Sequence, residues 1–209
     1  LANQITGHMC GFMICLPYGF FRCFHLHHHR HTQDTENDPE LQTAKPQNLR
    51  QYLWYMSGIP YWSGQTRTLF THALGRVDEK YVFSNQRNSV CVEARVYLLL
   101  YGLIGLSMAA SSQMAMWIIQ LWLLPAVLAM PALRGFLLAE HTGCPHTKTM
   151  LKNSRTTLTN KWVRVLSWNM SFHAEHHADP ATPFHALPGL HQEVHRDIAV
   201  VTAGYGAFH

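Results

Sequence analysis

The sequence predicts an all-α integral membrane protein, with a transmembrane helical hairpin joined to a helical, histidine-rich cap on the cytosolic side. Three observations lead there. Residues 96–133 run for 38 positions without Asp, Glu, Lys or Arg. Charged residues make up 13% of the chain and hydrophobic ones 47%, where a soluble domain carries about 25% charged residues. Histidine, present 16 times in 209 residues, concentrates in two short boxes of identical spacing.

The hairpin follows from length. One helical span needs about 20 apolar residues, and about 17 at the least, so the uncharged run holds two minimal spans and a tight turn. Ser111, Ser112 and Gln113 form its one polar cluster and mark the turn. The hairpin then covers about residues 94–135, drawing in Arg95, whose charged head snorkels while its stem stays apolar. Pro125 and Pro131 lie in the second arm, where membrane helices tolerate a kink. A buried hairpin in a soluble protein is the alternative, and so long an uncharged run speaks against it. Arg95 and Arg134 flank the hairpin, and every other Lys and Arg lies outside it. The positive-inside bias therefore places both ends, and all histidine-rich segments, on the cytosolic face. Residues 1–21 are also uncharged but interrupted by Asn3, Gln4, Gly7, Gly11 and Pro17, which fits the remains of a span or an interfacial helix. Residues 51–70 carry Tyr52, Trp54, Tyr55, Tyr61 and Trp62, either aromatics at headgroup level or an ordinary packed segment.

Composition excludes other classes. A net charge of +4, spread evenly, gives no footprint for nucleic acid. Five cysteines, an odd number without CxxC spacing, argue against a disulfide scaffold or a cysteine zinc site and for reduced thiols. No secretory signal peptide opens the chain, and it begins at Leu1 rather than Met.

The boxes carry the chemistry. His25-Leu26-His27-His28-His29 and His173-Ala174-Glu175-His176-His177 both read HxxHH. At this histidine content one such box is expected about 0.1 times by chance. On a helix, positions i, i+3 and i+4 share a face, so each box points three imidazoles into one region. Two boxes supply six nitrogens, more than the four of a structural zinc site, and imply two metals in one pocket. Imidazole suits Fe, Zn, Cu and Ni alike. Ligating histidines usually donate their second N–H to a carboxylate or carbonyl, which makes Asp38, Glu175 and Asp179 candidate supports. Glu36 and Glu40 read as part of a solvated acidic loop.

At this point the chain resembles the membrane fatty acid desaturase family, in its bacterial form. Phe24 to Gln33 followed by Asn37-Asp38-Pro39-Glu40 looks like the family's second histidine box. Trp168 to His177 followed by Pro183-Phe184-His185-Ala186-Leu187-Pro188 looks like its third. Ala139 to Pro145 and Asn153-Ser154-Arg155-Thr156-Thr157 resemble the stretch that precedes the third box. The likeness spans almost the whole chain, read as one domain over residues 1–209. It implies two iron ions held by His25, His28, His29, His173, His176 and His177, with His141 as an additional ligand. It assigns no catalytic residues beyond the metal ligands. His27, His31, His146, His185 and His191 are expected outside the ligand set, and His72, His195 and His209 have no supporting pattern. The family's first box, HxxxH, has no match here and is expected before Leu1.

The resemblance further implies O₂ as co-substrate, a lipid acyl chain as substrate, and ferredoxin or cytochrome b5 as electron donor. The reaction would remove two hydrogens from a methylene pair and leave a cis double bond. A hydroxylase or ketolase acting on a lipid or carotenoid is the alternative on the same scaffold. A non-catalytic metal-binding membrane protein is a third reading. It would place ionisable residues within the spans, and the 38-residue run has none.

Overall fold

A computed structural model of the protein describes residues 1–209. The chain divides into two compact units, Leu1–His27 with Asn48–Pro131, and His28–Gln47 with Ala132–His209.

In the first unit, α1 (Ala2–Met13) and α2 (Tyr18–His31) meet at a bend of 99°. A helix end leaves its last carbonyls without donors, and lipid offers no water to replace them. Aromatic side chains fill the gap. Tyr101 Oη donates to Phe12 O at 2.6 Å, Trp122 Nε1 to Met13 O at 2.8 Å, and Tyr61 Oη to Ile14 O at 2.8 Å. The bend also needs a glycine, because a Cβ on Gly11 would sit 2.3 Å from the Leu16 carbonyl oxygen. Gly11→Ala is expected to lower stability by about 1–3 kcal/mol through overpacking. Gly102, with nothing within 4 Å of its Cβ position, should tolerate alanine. Thermal unfolding of both variants in detergent checks this.

Helix α3 (Leu49–Met56) is capped by Asn48 Oδ1, which accepts from Gln51 N at 3.0 Å. Helix α4 (Ile59–Ala73) packs along α5 (Ser84–Ala110) and buries Leu69, Ala94 and Tyr97. A second cluster joins Phe20, Val77, Val82, Val90 and Cys91. Arg95 Nε donates to Ala73 O at 2.9 Å and so closes the end of α4. The chain breaks at Ser111, whose Oγ accepts from Met114 N at 3.3 Å. It continues as α6 (Ser112–Ile118), a π stretch (Ile119–Leu123) and α7 (Leu124–His141). Tyr101 and Trp122, nearly equidistant from the break, have rings 6.2 Å apart, so the chain doubles back. Ser84–Ala110 and Ser112–His141 are both long and apolar enough to cross a membrane, and only 6% of the most apolar stretch of the second is buried. Leu99, Leu103, Leu106, Leu121 and Leu128 are all exposed, a surface suited to lipid rather than to water.

The second unit is built from short pieces. They are the end of α2, a 3-10 turn (Pro39–Gln42), the end of α7, α8 (Met150–Asn153), β1 (Arg155–Thr157) and α9 (Lys161–Leu166). Then follow α10 (His173–Ala178), α11 (Leu187–Val194), β2 (Val200–Thr202) and α12 (Tyr205–Phe208). The two strands pair in parallel, Arg155 with Val200 through Thr157 with Thr202. The predicted all-α class holds for the chain, and this three-residue pair is an addition too short to show a period of two. The interior is polar, with Asn153, Ser154, Thr156, Ser171 and Glu175 all buried. Asn153 Nδ2 donates to Thr32 O at 3.1 Å and Thr147 O at 2.9 Å, and Thr156 Oγ1 donates to Glu175 Oε2 at 2.6 Å. Such a network fixes one arrangement of the elements around it.

Candidate metal centre

The second unit brings six histidines together from three elements. Consecutive residues on a helix point about 100° apart, so each box divides its imidazoles between two groups. His28, at the end of α2, joins His141, the last residue of α7, and the i, i+4 pair His173 and His177 of α10. All four are buried, and one ring nitrogen of each lies within 4.8 Å of the others. His29 turns instead toward His176, with Nε2 atoms 3.1 Å apart. The groups adjoin, since the His29 and His177 rings stack with centroids 4.1 Å apart. His25 stands one turn ahead of His29 on α2, on the same helix face.

The outer nitrogens decide what the inner ones can do. His28 Nδ1 donates to Asp38 Oδ1 at 2.8 Å. His141 Nδ1 donates to Asn153 O at 3.2 Å. Thr32 Oγ1 gives its proton to His28 O at 2.8 Å, so it accepts from His177 Nδ1 at 3.1 Å. His173 Nδ1 lies 3.3 Å from Glu140 Oε1, an ion-pair distance without good hydrogen-bond angles. A neutral imidazole carries one proton. With that proton on Nδ1, as the partners of His28, His141 and His177 require, Nε2 presents a lone pair. Yet the Nε2 atoms approach at 3.2 Å between His28 and His141, 2.9 Å between His173 and His141, and 3.0 Å between His177 and His173. Facing lone pairs repel, and a cation among them turns the repulsion into four bonds. Donors about 2.1 Å from one metal stand about 3–4 Å apart. The donor set therefore fits a metal ion.

Burial disfavours the protonated form of His141, His176 and His177. Burial first, then the neighbouring imidazoles, pushes the pKa of His177 well below the usual histidine range. Burial, with His28 beside it, lowers that of His176.

The remaining sequence candidates fall in different places. Asp38 is buried against His28. Glu175 is fully buried, accepting from Thr156 and bonded to His191 Nδ1. Asp179 holds a surface turn, accepting from Thr182 Oγ1 at 2.6 Å and Ala181 N at 3.2 Å. His72 is buried in the first unit with Nε2 3.0 Å from Glu79 Oε1, which helps hold the Glu79 carboxyl below its usual range against the larger, opposing effect of burial. His146 Nδ1 meets Gln33 O at 3.2 Å. Sequence reasoning passed over Thr32, Glu140 and Asn153, and placed Glu40 in a solvated loop. The structure sets Glu40 Oε2 3.5 Å from His28 Nε2. The signal was present for Asn153, inside the Asn153 to Thr157 stretch.

The sequence model of the family described as Fatty acid desaturase matches residues 1–208. The chain belongs to the fatty acid desaturase family. An sn-1 oleoyl-lipid 12-desaturase of Picosynechococcus sp. is 21% identical over 202 residues, 88% of this chain and 57% of that protein. A desaturase of the same name from Synechocystis sp. is 22% identical over 207 residues, 90% of this chain and 58% of that protein. The chain thus spans a little over half the length of the curated relatives it matches. No solved structure matches it significantly. Family membership and the buried histidine groups agree on a scaffold that could hold metal, and two of its helices are long and apolar enough to cross a membrane.

Proposed function

We propose that the protein is a membrane-bound, O₂-dependent di-iron desaturase that introduces a cis double bond into a lipid acyl chain. The observation that carries this reading is the convergence of four buried imidazoles, three of which, His28, His141 and His177, have their Nδ1 protons committed elsewhere. His28, His141, His173 and His177 would hold one iron, and His25, His29 and His176 would contribute to the other. Bound iron supplies the capacity to activate O₂ and oxidise an unactivated methylene. The residues of the chain do the rest. Asp38, Asn153 and Thr32 fix the imidazole tautomers, and second partners of this kind set ligand orientation and basicity. Residues 1–209 serve as one desaturase-like domain, with the hairpin of about residues 94–135 as its membrane anchor. Arg95 and Arg134 favour the histidine groups on the cytosolic face. The relatives' printed names support a lipid-linked acyl substrate, and the family supports ferredoxin or cytochrome b5 as electron donor.

The test is metal content and Mössbauer spectroscopy on protein purified in detergent, followed by turnover on lipid substrate with O₂ and a reducing system. About two irons per chain and a product lighter by two hydrogens are expected. A product heavier by one oxygen would make the protein a hydroxylase, and one zinc or no stoichiometric metal would refute the reading.

A further inference from the structure

The four-histidine group has one more donor at its edge. Glu40 Oε2 lies 3.5 Å from His28 Nε2 and 3.9 Å from His141 Nε2. Its other oxygen, Oε1, accepts from Lys45 Nζ at 2.5 Å. The backbone at Glu40 is held as well, because Glu40 N donates at 2.9 Å to Asp38 Oδ1, the same oxygen that accepts from His28 Nδ1. One aspartate therefore sets both His28 and Glu40.

Oε2 lies beyond ordinary hydrogen-bond distance of both nitrogens. A carboxylate is an acceptor, and the Nε2 atoms it faces are acceptors too once their protons sit on Nδ1. Negative oxygen against lone pairs is repulsive unless a cation lies among them. The distances to His28 and His141 match the spacing of about 3–4 Å between donors that share one metal. The Lys45 ammonium occupies Oε1 and leaves Oε2 for the metal.

We propose that Glu40 supplies a carboxylate oxygen to the metal ion held by His28, His141, His173 and His177, with Lys45 as the residue that orients it. The inference rests on the metal-centre reading above. It makes the two iron sites chemically unequal, one with an anionic oxygen ligand and one without.

The test is ⁵⁷Fe Mössbauer spectroscopy with chelator competition, on the parent protein and on Glu40→Gln, Lys45→Met and Glu36→Gln. The parent should show two inequivalent iron doublets. Glu40→Gln should change one doublet, leave the other, and weaken retention of that iron by about tenfold or more. Lys45→Met keeps the carboxylate but frees its orientation, and should weaken retention of the same iron less than Glu40→Gln does, while Glu36→Gln should match the parent. Unchanged doublets and retention in Glu40→Gln would overturn the proposal while parent iron upheld the metal centre. Equal iron loss in Lys45→Met and Glu40→Gln would overturn it too, since Glu40 would then act only by tying the loop. Absence of stoichiometric iron in the parent would overturn both readings. Should Glu40→Gln fail to accumulate, Glu40→His decides. Retained iron with one altered doublet supports the ligand role, and retained iron with unaltered doublets removes it.

Discussion

His141→Ala is expected to lose iron from the four-histidine site and, with it, all turnover. His141 Nε2 meets both His28 Nε2 at 3.2 Å and His173 Nε2 at 2.9 Å, so it is the member that joins the box on α2 to the box on α10. A four-ligand metal site contributes about 10–16 kcal/mol of binding, or about 3 kcal/mol per ligand, which is on the order of 100-fold in affinity. Iron content should fall from about two per chain to one or less, read by metal analysis. His176→Ala should likewise abolish turnover, through the other group. His72→Ala is the matched control. It removes an equally buried histidine, packed on Phe20 and bonded to Glu79, and should cost about 1–3 kcal/mol of stability while iron content stays at the parent value. Full iron and full turnover in His141→Ala would remove this residue from the site.

The spans and the boxes were legible in the sequence because both are periodic or compositional signals. An uncharged run needs no tertiary information to be read as two helices, and the structure breaks it at Ser111, inside the Ser111 to Gln113 turn expected from polarity. The HxxHH spacing showed that three imidazoles share a helix side. It did not show that His28 and His29, about 100° apart on the helix, would enter different groups. That division depends on where α7 and α10 deliver His141, His173, His176 and His177. Glu40 illustrates the larger gap. In sequence it belongs to a stretch with Asp34, Glu36 and Asp38, all acidic and all outwardly alike. The 3-10 turn after Asp38 separates them, leaving Asp34 capping Glu36 N and Asn37 at the surface while Glu40 turns toward His28. Burial drives the Glu40 carboxyl upward, but the charge of Lys45 leads the effects that outweigh it and bring the pKa down to about 2. No local pattern encodes that environment.

Asp38→Asn is expected to produce the second largest loss, although it changes one atom and touches no metal. Asp38 Oδ1 accepts from His28 Nδ1 at 2.8 Å and from Glu40 N at 2.9 Å, and Oδ2 accepts from Gln33 N at 2.8 Å. An amide has a single acceptor oxygen. Whichever way the asparagine turns, its NH₂ faces a buried N–H, either that of Gln33 or those of His28 and Glu40. An unmet buried donor costs about 1–3 kcal/mol. If the amide turns its NH₂ toward His28, the imidazole moves its proton to Nε2 and loses the lone pair that the metal requires. If it faces Gln33, the end of α2 shifts and His28 shifts with it. Both routes weaken the four-histidine site, and loss of such a support lowers metal affinity by about 10–100-fold. Chelator competition on the iron-loaded protein checks the affinity, and thermal unfolding of the metal-depleted protein checks the hydrogen-bond cost separately. Asp179→Asn, at a turn whose bonds run to Ala181 and Thr182, should leave iron retention unchanged. Equal behaviour of the two variants would show that the carboxylate at Asp38 does not set the His28 tautomer.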